Sequence, residues 1–257
     1  MSHTPSTNDS DLDQLLMDCA EAIDSSFSFA FQPVVDLDTM RIVGNEALVR
    51  GLSQESAESV IAAIRPENQY LFDQACRIRA LELAIKLNIT GLIHLNCSHI
   101  TPENIDTTLA TMKAWAQRCG IEPKRVVLEL NDLNAFNCPR QLNDVRKKTR
   151  AAGFKLLADR YGASEAGLKR LAVLKPDFVK LDRSLICDID RSVRRQAIVQ
   201  GIVATCRMLG VEIIASGVER PEETDWLQNA GIKFGQGFLY ARPAFEAAPA
   251  VEQARVA

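Results

Sequence analysis

Charged and amide side chains interrupt the apolar runs of this sequence at regular points. Glu46 and Arg50 lie in RIVGNEALVR, Asn96 follows LIHL, Glu129 follows VVL, Asp159 follows LLA and Lys180 follows FV; Ser216 and Glu219 follow IIA, and Gln236 sits within KFGQGF. A carboxylate in an apolar run is costly to bury unless it is paired or bound to a cation. Glu46, Glu129 and Asp159, with the amide oxygen of Asn96, make an all-oxygen set that suits Mg2+, Mn2+ or Ca2+ and disfavours soft metals. The competing reading is a hydrogen-bonded cluster without metal, in which Lys180 neutralises the acids.

These residues need elements that bring them together. Eight short apolar runs read as strands, at 29–35, 41–50, 91–97, 125–130, 154–159, 177–181, 211–216 and 232–239. Helical segments are expected at 56–87, 103–118, 139–152, 164–174, 192–209, 221–230 and from about 244. Strands alternating with helices in this number predict an α/β fold, a TIM-like (β/α)8 barrel, in which reactive residues gather at the C-terminal strand ends. The five residues DLDTM between the first two runs are too few for a parallel crossover, so one antiparallel strand is expected near the start.

The ordered motifs resemble those of the EAL domain of cyclic di-GMP phosphodiesterases and receptors, over residues 29 to 245. They are FQPVV at 31–35, NEALVRG at 45–51, LNCS at 95–98, LELND at 128–132, ADRYG at 158–162, DFVKLDRS at 177–184, ASGVE at 215–219 and GQGFLYARP at 235–243. The resemblance implies that Glu46, Asn96, Glu129 and Asp159 are ligands of the first of two divalent metals. It implies that Lys180 is the lysine that orients the attacking water, vestigial if hydrolysis is lost. Gln32, Leu48, Arg50, Asp182, Gln236 and Pro243 fall where the family contacts the dinucleotide. Asp132, at a position usually held by glutamate, and Glu219 are assigned to bracing the loop after ADRYG.

Two departures cluster at the other metal. The family's D-D-F-G supplies a second aspartate, where this chain has Arg160; the family's A-E-G-V-E supplies a glutamate, where this chain has Ser216. The glycine- and serine-rich loop that usually follows D-D-F-G is replaced by GASEAGLKR. Two-metal hydrolysis holds its cations about 3.5–4 Å apart to activate water and share phosphorane charge. A guanidinium in place of a carboxylate changes the local charge by two units, so Arg160 is expected to attract a phosphate without acidifying water. The alternative is that Arg160 points away from the mouth and pairs with surface acids such as Glu165, because adjacent strand residues face opposite sides.

Three functions follow in rank order. The first is a degenerate EAL domain that binds cyclic di-GMP with little or no hydrolysis and signals to an unidentified protein partner. The second is an active or slow cyclic di-GMP phosphodiesterase giving pGpG; the third is a nucleotide-independent protein-binding adaptor. At most one Mg2+ or Mn2+ site is expected, and a homodimer is expected through the helix and loop near the altered segment.

Composition bounds the rest. At 257 residues and 47% hydrophobic content the chain suits one large domain, and a formal charge of −3 gives no electrostatic reason to expect nucleic acid or a membrane as partner. Seven scattered cysteines without a C-x-x-C pair point to free thiols in a reducing cytoplasm. Residues 1–28 read as a polar leader with a short amphipathic helix at 11–23, and 29–257 as the barrel domain. His94 and His99, flanking LNCS, read as structural.

Overall fold

The computed structural model describes residues 27–131, 133–136, 138–163 and 168–251. The leader helix expected at 11–23, Asp132 and residues 164–167 lie outside the described residues.

The strands are β1 (Phe27–Asp36), β2 (Ile42–Gly51), β3 (Leu92–Cys97), β4 (Val126–Leu130), β5 (Lys155–Tyr161), β6 (Phe178–Leu181), β7 (Glu212–Ser216), β8 (Phe234–Gln236) and β9 (Ala244–Phe245). The helices are α1 (Ala57–Ala62), α2 (Gln69–Lys86), α3 (Ile105–Arg118), α4 (Pro139–Ala151), α5 (Leu168–Leu174), α6 (Arg183–Ile186), α7 (Val193–Leu209) and α8 (Pro221–Asn229). Strands β2 to β8 pair in parallel, each with the next, and β1 closes the ring antiparallel to both β2 and β8. The short first connection therefore produces the antiparallel strand expected from it.

The expected helix at 56–87 is broken. Pro66 removes an N–H donor and disfavours helical geometry in the residue before it, so α1 ends, a 3-10 turn forms at Pro66–Asn68, and α2 begins at Gln69. The helix expected from about 244 is a strand instead, and residues 246–251 are non-helical. β8 pairs only with Val35 and Asp36, which leaves the first half of β1 with an open edge. Ala244–Phe245 pair with Ala30 and Phe31 there, and the Glu246 N–H donates to the Phe29 carbonyl at 2.9 Å.

Two apolar layers result. Between strands and helices lies a core that includes the fully buried Trp115, Met112, Ile78 and Leu81. Inside the barrel, Val34, Val127, Leu157, Phe178 and Ile214 form a separate plug.

Candidate functional site

The plug fixes what stands above it. Side chains two apart on a strand share a face, so Gln32, Glu129, Asp159, Lys180 and Ser216 point into the barrel one step nearer its mouth than Val34, Val127, Leu157, Phe178 and Ile214. Asn96 stands opposite Glu129 in the β3–β4 register, Gln32 opposite Glu46 in β1–β2, and Ser216 opposite Gln236 in β7–β8. Residues far apart in sequence thus form one polar layer on an apolar floor.

Lys180 is its centre. The Nζ donates to Glu46 Oε2 at 2.9 Å and to Glu129 Oε1 and Oε2 at 2.8 and 2.7 Å, and lies 3.9 Å from Asp159 Oδ1. Gln236 Nε2 also donates to Glu46 Oε2, at 2.9 Å, and Asn96 Nδ2 donates to Glu46 Oε1 at 3.2 Å. Asn131 Nδ2 donates to Asn96 Oδ1 at 3.1 Å. From α2, Asp73 and Arg77 form a buried ion pair; Asp73 accepts from the Ser98 N–H and Arg77 reaches the Asn96 carbonyl, holding the end of β3.

The proton affinities follow from this crowding. Burial alone would raise Glu46, but Lys180 and the Gln236 amide outweigh it and hold the group at about 2. Glu129, wholly enclosed, is pushed up to about 8 by burial and by Glu46, which the lysine only partly offsets. Burial also raises Asp159, to about 6. For Lys180, burial favours the neutral form, but the surrounding carboxylates dominate and its pKa is raised, so it stays an ammonium. Three carboxylates face one ammonium, so full ionisation leaves an excess of negative charge on an all-oxygen donor set. That chemistry fits one hard divalent cation.

The neighbouring position is different. Ser216 Oγ donates to the Leu181 carbonyl at 2.8 Å. Arg160 is exposed, with φ of 50°, at the point where the pairing of β5 with β6 shifts register. This left-handed backbone breaks the strand's strict alternation, and Arg160 lines both cavities of the mouth. One, of about 510 Å3, includes Leu48, Arg50, Asn96, Asp159 and Arg160. The other, of about 340 Å3, includes Gln32, Lys180, Asp182, Ser216, Gln236 and Arg160. Pro243 is half-buried and lines neither.

The remaining expected residues have local partners. Asp182 caps α6, accepting from the Ser184 N–H at 2.9 Å, and Gln32 donates to the Ala241 carbonyl at 3.2 Å. Arg50 donates to the Val49 carbonyl at 2.7 Å. Glu219, in the loop after β7, forms an ion pair at 2.8 Å with Arg183 at the start of α6. Gly237 lets the loops after β7 and β8 touch, since a Cβ there would lie 2.0 Å from the Val218 carbonyl oxygen. Among the described residues, Cys187, Asp188 and Glu223 are the trio with metal-ligating atoms mutually within 4.8 Å. Glu223 there accepts the N–H groups of Asp188, Glu219 and Arg220, which makes the trio a loop staple.

Sequence reasoning passed over four contributors: Asn131, the Asp73–Arg77 pair, Phe238 and His94. Phe238, 42% exposed, lines the second cavity with the Arg242 guanidinium stacked 4.5 Å from its ring centre. His94 Nδ1 lies 3.0 Å from Glu129 Oε1. The signals for two of these were present, since His94 is two residues from Asn96 on one strand and Asp73 and Arg77 are four apart on one helix.

A family model described as EAL domain matches residues 17–243. The blue light- and temperature-regulated antirepressor BluF of Escherichia coli (strain K12) is 30% identical over 245 residues, 93% of this chain and 60% of BluF. The cyclic di-GMP phosphodiesterase RocR of Pseudomonas aeruginosa is 26% identical over 84% of this chain and 57% of RocR. The chain thus spans less than two thirds of the length of these relatives. Among solved structures, a standalone versatile EAL protein from Vibrio cholerae O395, in its c-di-GMP bound form, superimposes with a TM-score of 0.84 at 34% identity, covering 90% of this chain and 98% of that one. The calcium and cyclic di-GMP complex of Klebsiella pneumoniae BlrP1 gives 0.80 at 33% identity, covering 88% of this chain and 57% of that one. With the family pattern running through nearly every strand that builds the polar layer, the chain belongs to the EAL domain family.

Proposed function

We propose that this barrel binds cyclic di-GMP across its mouth, hydrolyses it little or not at all, and passes the bound state to a protein partner. The observation that carries this reading is Arg160. It is exposed at a left-handed bulge and lines both cavities, and its guanidinium offers a fork of N–H donors that suits a phosphate oxygen. Ser216, engaged with a backbone carbonyl, supplies no carboxylate beside it.

Glu46, Asn96, Glu129 and Asp159 are the residues that would hold one Mg2+ or Mn2+. Such an ion supplies charge neutralisation at a phosphate and, with a second metal, a more acidic water. Lys180 keeps the acids together, Gln236 and Asn96 orient Glu46, and Arg50 and Arg160 present positive charge to the ligand. Gln32, Leu48 and Asp182, which line the cavities, complete the dinucleotide contacts, and Glu219 braces the neighbouring loop. The name antirepressor borne by BluF favours a protein partner, and α5, beside the altered segment, offers the exposed Leu168 to a homodimer. No described helix is long and apolar enough to cross a membrane; the proposed cytoplasmic setting rests on the seven scattered cysteines without a C-x-x-C pair.

Calorimetric titration with cyclic di-GMP, with and without Mg2+, tests the reading. Saturable binding is the expected result. Flat traces in both conditions would leave a nucleotide-independent adaptor, and steady formation of pGpG during the titration would leave a phosphodiesterase.

A further inference from the structure

His94 is a buried titratable group that the proposed function does not use. It is 1% exposed and stands opposite Val127 in the β3–β4 register, in the layer of Val127, Leu157, Phe178 and Ile214. Its ring is tilted against Phe178 with centroids 6.1 Å apart. Gly44 makes room beside it, since a Cβ there would lie 3.1 Å from Nε2. The two ring nitrogens meet opposite environments. Nδ1 is 3.0 Å from Glu129 Oε1, whereas Nε2 is buried without a hydrogen-bond partner.

A neutral imidazole carries one N–H, and burying it unpaired wastes a hydrogen bond while facing a carboxylate with a bare lone pair. Both costs vanish if the proton sits on Nδ1. We propose that His94 is a positioning residue, locked as the Nδ1–H tautomer, which anchors Glu129 Oε1 from beneath the mouth and leaves Oε2 as the oxygen available to a divalent cation. Oε1 then receives two donors, His94 and Lys180, and Oε2 receives Lys180 alone. Histidine is the side chain that can do this from the floor layer: its flat ring packs against Phe178 while one edge reaches the acid above. A donor behind a metal-binding carboxylate fixes its orientation, and loss of such a partner typically weakens metal binding about 10–100-fold.

The inference rests on the reading that the oxygen cluster holds a divalent ion, but one arm of its test does not. In the metal-free, 15N-labelled full chain above about pH 8, where Glu129 is ionised and can only accept, the His94 ring, assigned by its disappearance in His94→Asn, is expected to show a protonated Nδ1 and an imine-type Nε2. A protonated Nε2 would overturn the assignment whether or not any metal binds. Mn2+ affinity, read from the paramagnetic resonance of the free ion, is the second arm. His94→Leu, which removes the donor, is expected to weaken Mn2+ binding about tenfold or more. His94→Asn, whose amide places a donor where Nδ1 was, is expected to stay within about threefold. Equal losses in both variants, or none in His94→Leu, would overturn the positioning role. A parent protein that binds no Mn2+ would refute the metal reading alone, and the ring spectrum would still decide the tautomer.

Discussion

Lys180 and Glu46 meet across the barrel, Nζ donating to Oε2 at 2.9 Å although 134 residues separate them in sequence. The same ammonium grips Glu129 from β6 to β4, so one cation ties together strands on three sides of the mouth. Removing one partner of such a buried pair leaves uncompensated charge and costs roughly 3–5 kcal/mol. Lys180→Met is expected to lose stability of that order, read as a fall in the urea midpoint at unchanged m-value. A midpoint equal to the parent's would show that the carboxylates do not depend on the lysine.

The raised carboxyl groups make a pH prediction with a definite sign. Glu129, near 8, and Asp159, near 6, hold protons in the folded state that the unfolded chain releases at the ordinary values of 4.5 and 3.8. The folded protein therefore binds more protons through this window, and stability falls as pH rises from about 5 to about 8. Glu46, held near 2, acts in the opposite sense, contributing stability that is lost as pH falls below its ordinary value of 4.5. Thermal melts in chelator are expected to peak near pH 5, and millimolar Mg2+ is expected to flatten the decline on the alkaline side by replacing the protons. A melting temperature that climbs steadily to pH 8 in chelator would contradict this.

Arg160 is exposed, so its attraction for a phosphate is partly screened by solvent. Arg160→Met is expected to weaken cyclic di-GMP binding about five- to tenfold, roughly 1 to 1.4 kcal/mol, and to reduce the salt dependence of that binding. Calorimetry at two ionic strengths checks both. Unchanged affinity and salt dependence would place the guanidinium outside the ligand's reach.

The barrel was legible because its strands read as short apolar runs, as parallel strands covered on both faces do, and its connections suit helices; the hairpin-length link at DLDTM announced the antiparallel strand. The polar layer was legible for the same reason, since each acid or amide ends an apolar run. What escaped was tertiary. β9 exists because β8 is too short to cover the edge of β1, and α1 and α2 separate at a proline inside a helical pattern. The direction of Arg160 could not be read from alternation, because the left-handed backbone at that residue suspends the rule. His94 looked like a core residue and is one, yet its neighbour above is a carboxylate, which only the stagger between β3 and β4 reveals.

The most direct test of the central claim is chromatography of nucleotide products after long incubation of cyclic di-GMP with Mg2+ or Mn2+. The parent chain is expected to give little or no pGpG, and Arg160→Asp combined with Ser216→Glu is expected to give far more than either single variant, because one metal needs both ligands. Rapid, enzyme-dependent pGpG formation by the parent, with no gain in the double variant, would contradict the view that an arginine has taken a metal's place.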